Sequence, residues 1–336
     1  MLRIEFPVGD DNEWTDRVAT HEGLSLLQCG EYGATKAALD GWRVERGIFI
    51  ANGDEVGAFQ ALIKRLPIFG GGLAWVNRGP LALNANTDTI ENHNKMLAAL
   101  KAHYAQQLGY YLRIAPNIPA EDPPAETTAP MGFALAGSDG WASAIIDLRQ
   151  SEEQLRAALR GNWRSTLNKA ERAGMKIRTA TEGAGFDEFV GSYQSFIDDR
   201  AITTSVTPAL IENLQTRLSP ENKLSAYLAH DNGKLVAGIL IARFGQAAEY
   251  LAASSTDAGR RAGAGQILLW RAILDAKAEG RMRFDVGGMD PDLTPPGIFK
   301  FKQGLGGTPY RLAREIETLG GHPLSRLVRW RVRRAR

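Results

Sequence analysis

Two segments far apart in the 336-residue chain carry the same pattern, and that duplication limits the fold more than any other feature. Gly47 to Lys64 (GIFIANGDEVGAFQALIK) and Ser225 to Arg243 (SAYLAHDNGKLVAGILIAR) each set a turn between two apolar runs. Both turns are Asn-Gly, at Asn52-Gly53 and Asn232-Gly233, the dipeptide that a two-residue hairpin favours. A third strand follows each hairpin, LAWV at 73–76 and AEYLA at 248–252. A helix comes next. The first is expected to open at Asp88, with Glu91 in capping-box register, and to stop at Gly109. Its inward positions are Ile90, Leu97, Leu100, Tyr104 and Leu108. The second is expected from about Gly265 to Glu279, with Ile267, Trp270, Ile273 and Leu274 inward. Each helix feeds another strand, YYLRIAP at 110–116 and RMRFDVG at 281–287. The repeat therefore predicts a duplicated α/β unit: an antiparallel hairpin, a third strand, a helix and a strand returning beside it.

Composition narrows the setting. The apolar share of 44% is that of a globular protein with real cores. A single cysteine, Cys29, excludes an internal disulfide and suits a reducing compartment. The histidines are scattered and none has zinc-ligand spacing, so no metal site is expected. The acidic N-terminus MLRIEFPVGDDNEW is no signal peptide, and no apolar run is long enough to span a bilayer. These features predict a cytoplasmic protein. The net charge of +2 conceals a basic end: Leu324 to Arg336 holds six arginines and no acid. Such a tail suits RNA or an anionic membrane surface, or simply solvated arginines on a terminal helix.

The halves are joined by Asn117 to Gly140, rich in Pro, Ala, Thr and Gly, which reads as linker. A strand over Ala142 to Leu148 is expected next, then one helix from Ser151 to Gly174, with Gln154 in capping-box register. Along it Arg156, Arg160 and Arg164 form a basic stripe beside Leu155, Leu159 and Trp163, and Lys169 extends the charge. A helix so basic can hold the phosphates of RNA or of a nucleotide, or can snorkel its arginines over a core edge.

Chemistry concentrates in FDVGGMDPDLTPPGIFKFKQGLGG, Phe284 to Gly307. A strand, a Gly-Gly break and a Pro-rich loop lead to Phe299-Lys300-Phe301-Lys302. The period of two there predicts a strand with both phenylalanines on one face and both lysines on the other. Cations so placed suit a phosphate, a carboxylate or a developing oxyanion. Arg260-Arg261-Ala262-Gly263-Ala264-Gly265 stands between a strand and a helix, where glycines let the first helical N–H groups face an anion. This R-x-x-G-x-G turn is similar to the pyrophosphate-binding turn of GNAT acyltransferases, which hold coenzyme A.

Four further pieces sharpen the resemblance. They are Leu27 to Tyr32 with Lys36 and Gly41-Trp42; Asn77-Arg78-Gly79-Pro80; Trp163-Arg164 with Lys169-Ala170-Glu171 and Gly174; and Asp285, Gly287-Gly288, Asp290, Gly297 and Phe301-Lys302-x-Gly304-x-Gly306. In this order the set resembles the FemAB family over nearly the whole chain. The resemblance implies an α/β fold of two tandem GNAT-like units, each a mixed, mostly antiparallel sheet flanked by helices. The units are expected over 1–140 and 141–315, with 316–336 a basic tail packing on the first.

It also implies a reaction. FemAB-type enzymes move an amino acid from aminoacyl-tRNA to an amine of a UDP-linked or lipid-linked muropeptide, a peptidoglycan precursor. The acceptor side is then Lys36, Arg200, Tyr32 and Arg78, and the donor side Arg260, Gly263, Gly265, Arg164 and Lys169. Lys302 and Phe301 are expected at the transfer site, with Asp285 and Tyr310 as candidate proton carriers or, for these two, a brace for the Gly-Gly turn and a core tyrosine. The chain departs from the family at Ala115 (Ile114-Ala115-Pro116), where members often carry an acid, and it lacks the coiled-coil arm of some members. Aminolysis needs a neutral amine, which for a lysine-like group of pKa about 10.4 costs about 4.6 kcal/mol at pH 7. No tightly bound cofactor is expected. A coenzyme A thioester is the alternative donor, a non-catalytic ligand-binding protein the other alternative, and the tail a route to peripheral contact with the inner face of the membrane.

Overall fold

The computed structural model describes residues 2–21, 23–66, 71–84, 86–120, 131–137 and 139–334. The chain divides into two compact units, Met1–Trp141 with Arg311–Arg336, and Ala142–Tyr310. The first begins with β1 (Arg3–Glu5), α1 (Asp11–Val18) and α2 (Gly30–Asp40). The expected hairpin follows as β2 (Arg43–Ala51) and β3 (Asp54–Arg65), turning on Asn52 (φ 54°) and Gly53 (φ 96°). Positive φ at both turn residues matches the twist of the flanking strands. Then come β4 (Gly72–Asn77) and β5 (Leu81–Ala82), and α3 (Ile90–Leu100), which runs on through a wider π turn, Lys101–Gln107. β6 (Tyr111–Ala115) returns parallel to β4.

Details of this unit differ from expectation. Thr89, not Asp88, caps α3, accepting the Asn92 N–H at 3.2 Å; the Asp88 carboxylate instead meets His93 at 2.8 Å. Leu97, Leu100 and Tyr104 are buried as predicted, whereas Ile90 and Leu108 are exposed at the two helix ends. The wider turn rotates the later residues away from the 3.6-residue period on which Leu108 was placed. Residues 121–130 of the expected linker lie outside the described residues. Its last part is not a linker, because β7 (Ala134–Leu135) joins the sheet.

The second unit opens with β8 (Ala142–Asp147). The single helix expected next is two, α4 (Glu152–Ala158) and α5 (Gly161–Arg172). Between them Leu159 and Arg160 are extended, with ψ of 134° and 146°. Leu159 plugs into the core, and the Arg160 N–H donates to Gly304 O at 3.0 Å. The arginine stripe is therefore interrupted. Arg156 is tied to Glu171, and Arg160 donates to the Gln303 side chain. The unit continues with β9 (Lys176–Ala180), α6 (Gly183–Asp199) and α7 (Pro208–Arg217). The second hairpin, β10 (Ser225–Asp231) and β11 (Lys234–Phe244), turns on Asn232 (φ 48°) and Gly233 (φ 76°). β12 (Ala247–Ser255), α8 (Asp257–Ala262), α9 (Ala264–Ala278), β13 (Arg283–Asp285), α10 (Pro296–Gln303) and β14 (Thr308–Arg311) complete it. Its strand order is β14-β8-β13-β12-β11-β10-β9.

The chain then returns to the first unit. β15 (Ile316–Thr318) enters its sheet, whose order is β1-β2-β3-β4-β6-β15-β7 with β5 on β3. α11 (Ser325–Arg334) packs on β4 and β6. Both sheets are mixed and mostly antiparallel, and β4 with β6 and β12 with β13 are parallel pairs. Each unit has its own core: Phe49, Phe59, Leu97 and Ile114 in the first, Tyr227, Leu268, Trp270 and Phe284 in the second.

Candidate active site

In the second unit the parallel pair comes apart. β12 and β13 share three partners, Ala247↔Arg283, Ala248↔Phe284 and Glu249↔Asp285. β12 then runs on along β11 with a bulge at Leu251, while the chain after β13 follows β8, with Val286 N–H to Ala144 O at 3.1 Å and Met289 N–H to Ala142 O at 2.8 Å. A bulge bends a strand and re-aims its side chains, and here it falls where the two strands part. The equivalent strands of the first unit stay paired from Leu73↔Tyr111 to Asn77↔Ala115 and open no such gap.

The gap holds α10. The run Phe299 to Lys302, expected as a strand, is helical, so successive side chains diverge by about 100° instead of alternating. Lys300 faces solvent and Lys302 is buried. The helix starts at Pro296, a residue suited to a first helical position because the missing N–H is unneeded there. Its end is clamped to α5: the Phe301 ring lies 6.1 Å from that of Trp163. A Cβ at Gly304 would run into the same indole, and one at Gly306 (φ 75°) into Ala158 O. The F-K-x-G-x-G spacing is thus a packing device that drives Lys302 inward.

A cleft of about 640 Å³ results, lined by Tyr193, Ile239, Tyr250, Ile298, Phe301 and Lys302 among others, with Arg260 and Gly265 on its wall. It is mostly apolar. The Lys302 Nζ donates to Gly288 O at 2.9 Å and stands 5.2 Å from the centre of the Tyr250 ring. Burial lowers its pKa to about 8, against the opposing pull of Asp285 and Glu249. Burial likewise raises the Tyr250 hydroxyl above its ordinary value.

Asp285 is fully occupied as a brace. It accepts from Ser143 Oγ, from Gly287 N–H at 2.8 Å and from Tyr310 OH at 2.7 Å. These bonds hold Gly287 (φ 72°), where a Cβ would run into Tyr250 O and approach Lys302 Nζ to 3.2 Å. Only glycine fits both demands.

The other sequence-selected residues are dispersed. Arg260 does not hang in a strand-to-helix turn, because the short helix α8 occupies that place. Its guanidinium pairs with Asp257 and donates to Ser255 O at 2.8 Å. Gly263 (φ 75°) joins α8 to α9 against Thr166, and Gly265 leaves space for the Phe301 ring. Arg164 and Lys169 lie on α5 and do not line the cleft. Arg200 ends α6, 4.1 Å from the ring of Phe196, itself a cleft residue. In the first unit Tyr32 and Lys36 lie on α2, with Lys36 paired to Asp40 one turn on. Arg78 (φ 60°) follows β4 with its guanidinium 4.4 Å from the Trp141 ring. Sequence reasoning missed Ser143 and Tyr250. A serine inside the apolar strand ASAIID was the available signal for the first, since a buried hydroxyl needs a partner.

A model described as an acetyltransferase (GNAT) domain matches residues 157–303. No curated protein matches the sequence. Among solved structures, that titled FemX superposes with a TM-score of 0.78 at 18% identity, covering 97% of this chain and all of that one. A tandem GNAT protein from the clavulanic acid biosynthesis pathway gives 0.54 at 17% identity over 96% of this chain and 99% of its own. L-PGS from Bacillus licheniformis gives 0.51 at 13% over 98% of each. The chain has a GNAT-superfamily fold in two tandem units, related to that of FemX.

Proposed function

We propose that the protein is a FemAB-like N-acyltransferase that forms an amide at the Lys302 cleft, moving an amino acid from aminoacyl-tRNA to an amine of a muropeptide precursor. The observation that carries this reading is Lys302 itself, a buried ammonium fixed beside the opened edge of β12. One of its three N–H groups is spent on Gly288 O, and the others remain for an oxygen that gains charge. As the amine nitrogen attacks the ester carbonyl, the new N–C bond pushes electrons onto the carbonyl oxygen. Collapse breaks the C–O ester bond, and the proton lost by nitrogen ends on the ribose hydroxyl that leaves. A cation poised at the oxyanion in a water-poor cleft is worth several kcal/mol to such a step. Asp285, Ser143 and Tyr310 act through Gly287, holding the turn that shapes the Lys302 socket. Lys36, Tyr32, Arg78 and Arg200 on the acceptor side, and Arg164 and Lys169 toward tRNA, are part of the same proposal. The test is a mixture of the protein, a UDP-muropeptide and a pool of tRNA charged with all amino acids. A product heavier by one amino-acid residue in the mass spectrum is expected, and its absence overturns the donor assignment.

A second reading has its own support. The cleft is largely apolar, and Arg260 and Gly265 lie on its wall, which suits the pantetheine arm and phosphates of an acyl-coenzyme A. Thiol release from a panel of acyl-coenzyme A donors with amine acceptors, alongside no tRNA-dependent product, would select it.

A further inference from the structure

The basic C-terminal helix has two unlike faces, and the proposed transfer reaction uses neither. Inward, Ser325, Val328, Arg329 and Val332 follow helical spacing against the first unit. Glu317, 2% exposed, receives Arg329 at 2.5 Å and Arg333 at 2.6 Å as well as the Tyr111 hydroxyl. Two arginines of the tail are thus consumed in holding α11 to its own sheet. Outward, Leu327 and Trp330 are 54% and 51% exposed. Arg326, Arg331 and Arg334 surround them, the last with its guanidinium 4.1 Å from the Trp330 ring. No acidic residue interrupts this face, since the segment contains none.

We propose that the outward face of α11 docks on an anionic lipid surface, with Leu327 and Trp330 entering the headgroup layer and Arg326, Arg331 and Arg334 at the phosphates. A large aliphatic and an indole beside cations are the pattern of a helix lying in a membrane interface. An RNA strand would use the arginines and stack on the indole, but would leave Leu327 in water. The apolar pair is what favours lipid. The inward arginines cannot contribute without abandoning Glu317, so among the described residues three cations, Arg326, Arg331 and Arg334, set the electrostatic part.

The experiment is co-sedimentation of the full chain with vesicles of phosphatidylcholine alone or mixed with phosphatidylglycerol. Binding is expected to the anionic vesicles only, and to fall with added salt. Replacing the three arginines (Arg326→Gln, Arg331→Gln, Arg334→Gln) is expected to lower partitioning about 100-fold. Leu327→Ser with Trp330→Ser is expected to lower it as well while keeping every arginine. Equal partitioning onto neutral and anionic vesicles overturns the proposal. So does anionic binding that survives the apolar double variant, or tRNA binding lost in the arginine variant with no vesicle binding in the parent. Thermal melts of both variants check that α11 remains folded; because the wild-type lipid comparison needs no variant, the proposal stays falsifiable if either melts early.

Discussion

The ammonium of Lys302 stands 5.2 Å from the centre of the Tyr250 ring, on the strand from which β13 has parted. The ring attracts the cation, but burial outweighs it and favours the neutral amine, so activity and stability should pull in opposite directions there. Lowered from 10.5 to about 8 in the fold, this lysine penalises the folded state below pH 8. The penalty fades as pH rises toward 10.5, where the unfolded chain loses its proton too. Lys302→Met should raise stability at pH 7 by up to about 3 kcal/mol and show little gain near pH 10.5. Its turnover should drop by about 100-fold or more. Chemical denaturation at both pH values and product mass spectrometry measure the two effects.

The same charge fixes a pH dependence. If the cation serves the oxyanion, turnover at saturating substrate should fall as pH rises past about 8. Lys302→Arg, which stays charged, should lack that fall even if its absolute rate is low. A parent profile that keeps rising through pH 9 would remove the ammonium from the chemical step.

Two glycines, one at each end of α10, should respond oppositely to alanine. At Gly304 a methyl group meets the Trp163 indole, whereas one at Gly297 meets nothing within 4 Å beyond its own helix. Gly304→Ala should cost on the order of 2 kcal/mol through overpacking and displace Lys302. Gly297→Ala should be neutral or stabilising by about 0.5–1 kcal/mol. Urea titrations of both single variants decide this.

Asp285 and Tyr310 should behave as supports. Tyr310→Phe removes one of three donors to Asp285 and should cost about 1 kcal/mol while leaving turnover within a few-fold. Loss of turnover by two orders of magnitude in a well-folded Tyr310→Phe protein would make the phenol a proton carrier instead.

The hairpins were legible because Asn-Gly between apolar runs leaves few alternatives, and both turns have the positive φ that the dipeptide implies. The helix at Pro296–Gln303 was not, since Phe-Lys-Phe-Lys mimics a strand period in a segment too short to show a helical one. The proline at its first position was the better guide. The break at Leu159–Arg160 depends on a contact with Gly304, more than 140 residues on. The opening between β12 and β13 was invisible for a similar reason: periodicity marks a strand, but not where its neighbour departs.

β15 lies between β6 and β7, so the sheet of the first unit is completed by residues 316–318, which the ribosome makes after the whole of the second unit. Residues 142–310 are contiguous and can close their own core as they emerge. β6 pairs with β4 without β15, but its other edge beside Ile114 stays unpaired until that last strand is made. The strand that closes the first unit's sheet is therefore among the last segments translated. A chain truncated before Ile316 would keep every residue of the second unit and leave β6 and β7 without the strand that joins them.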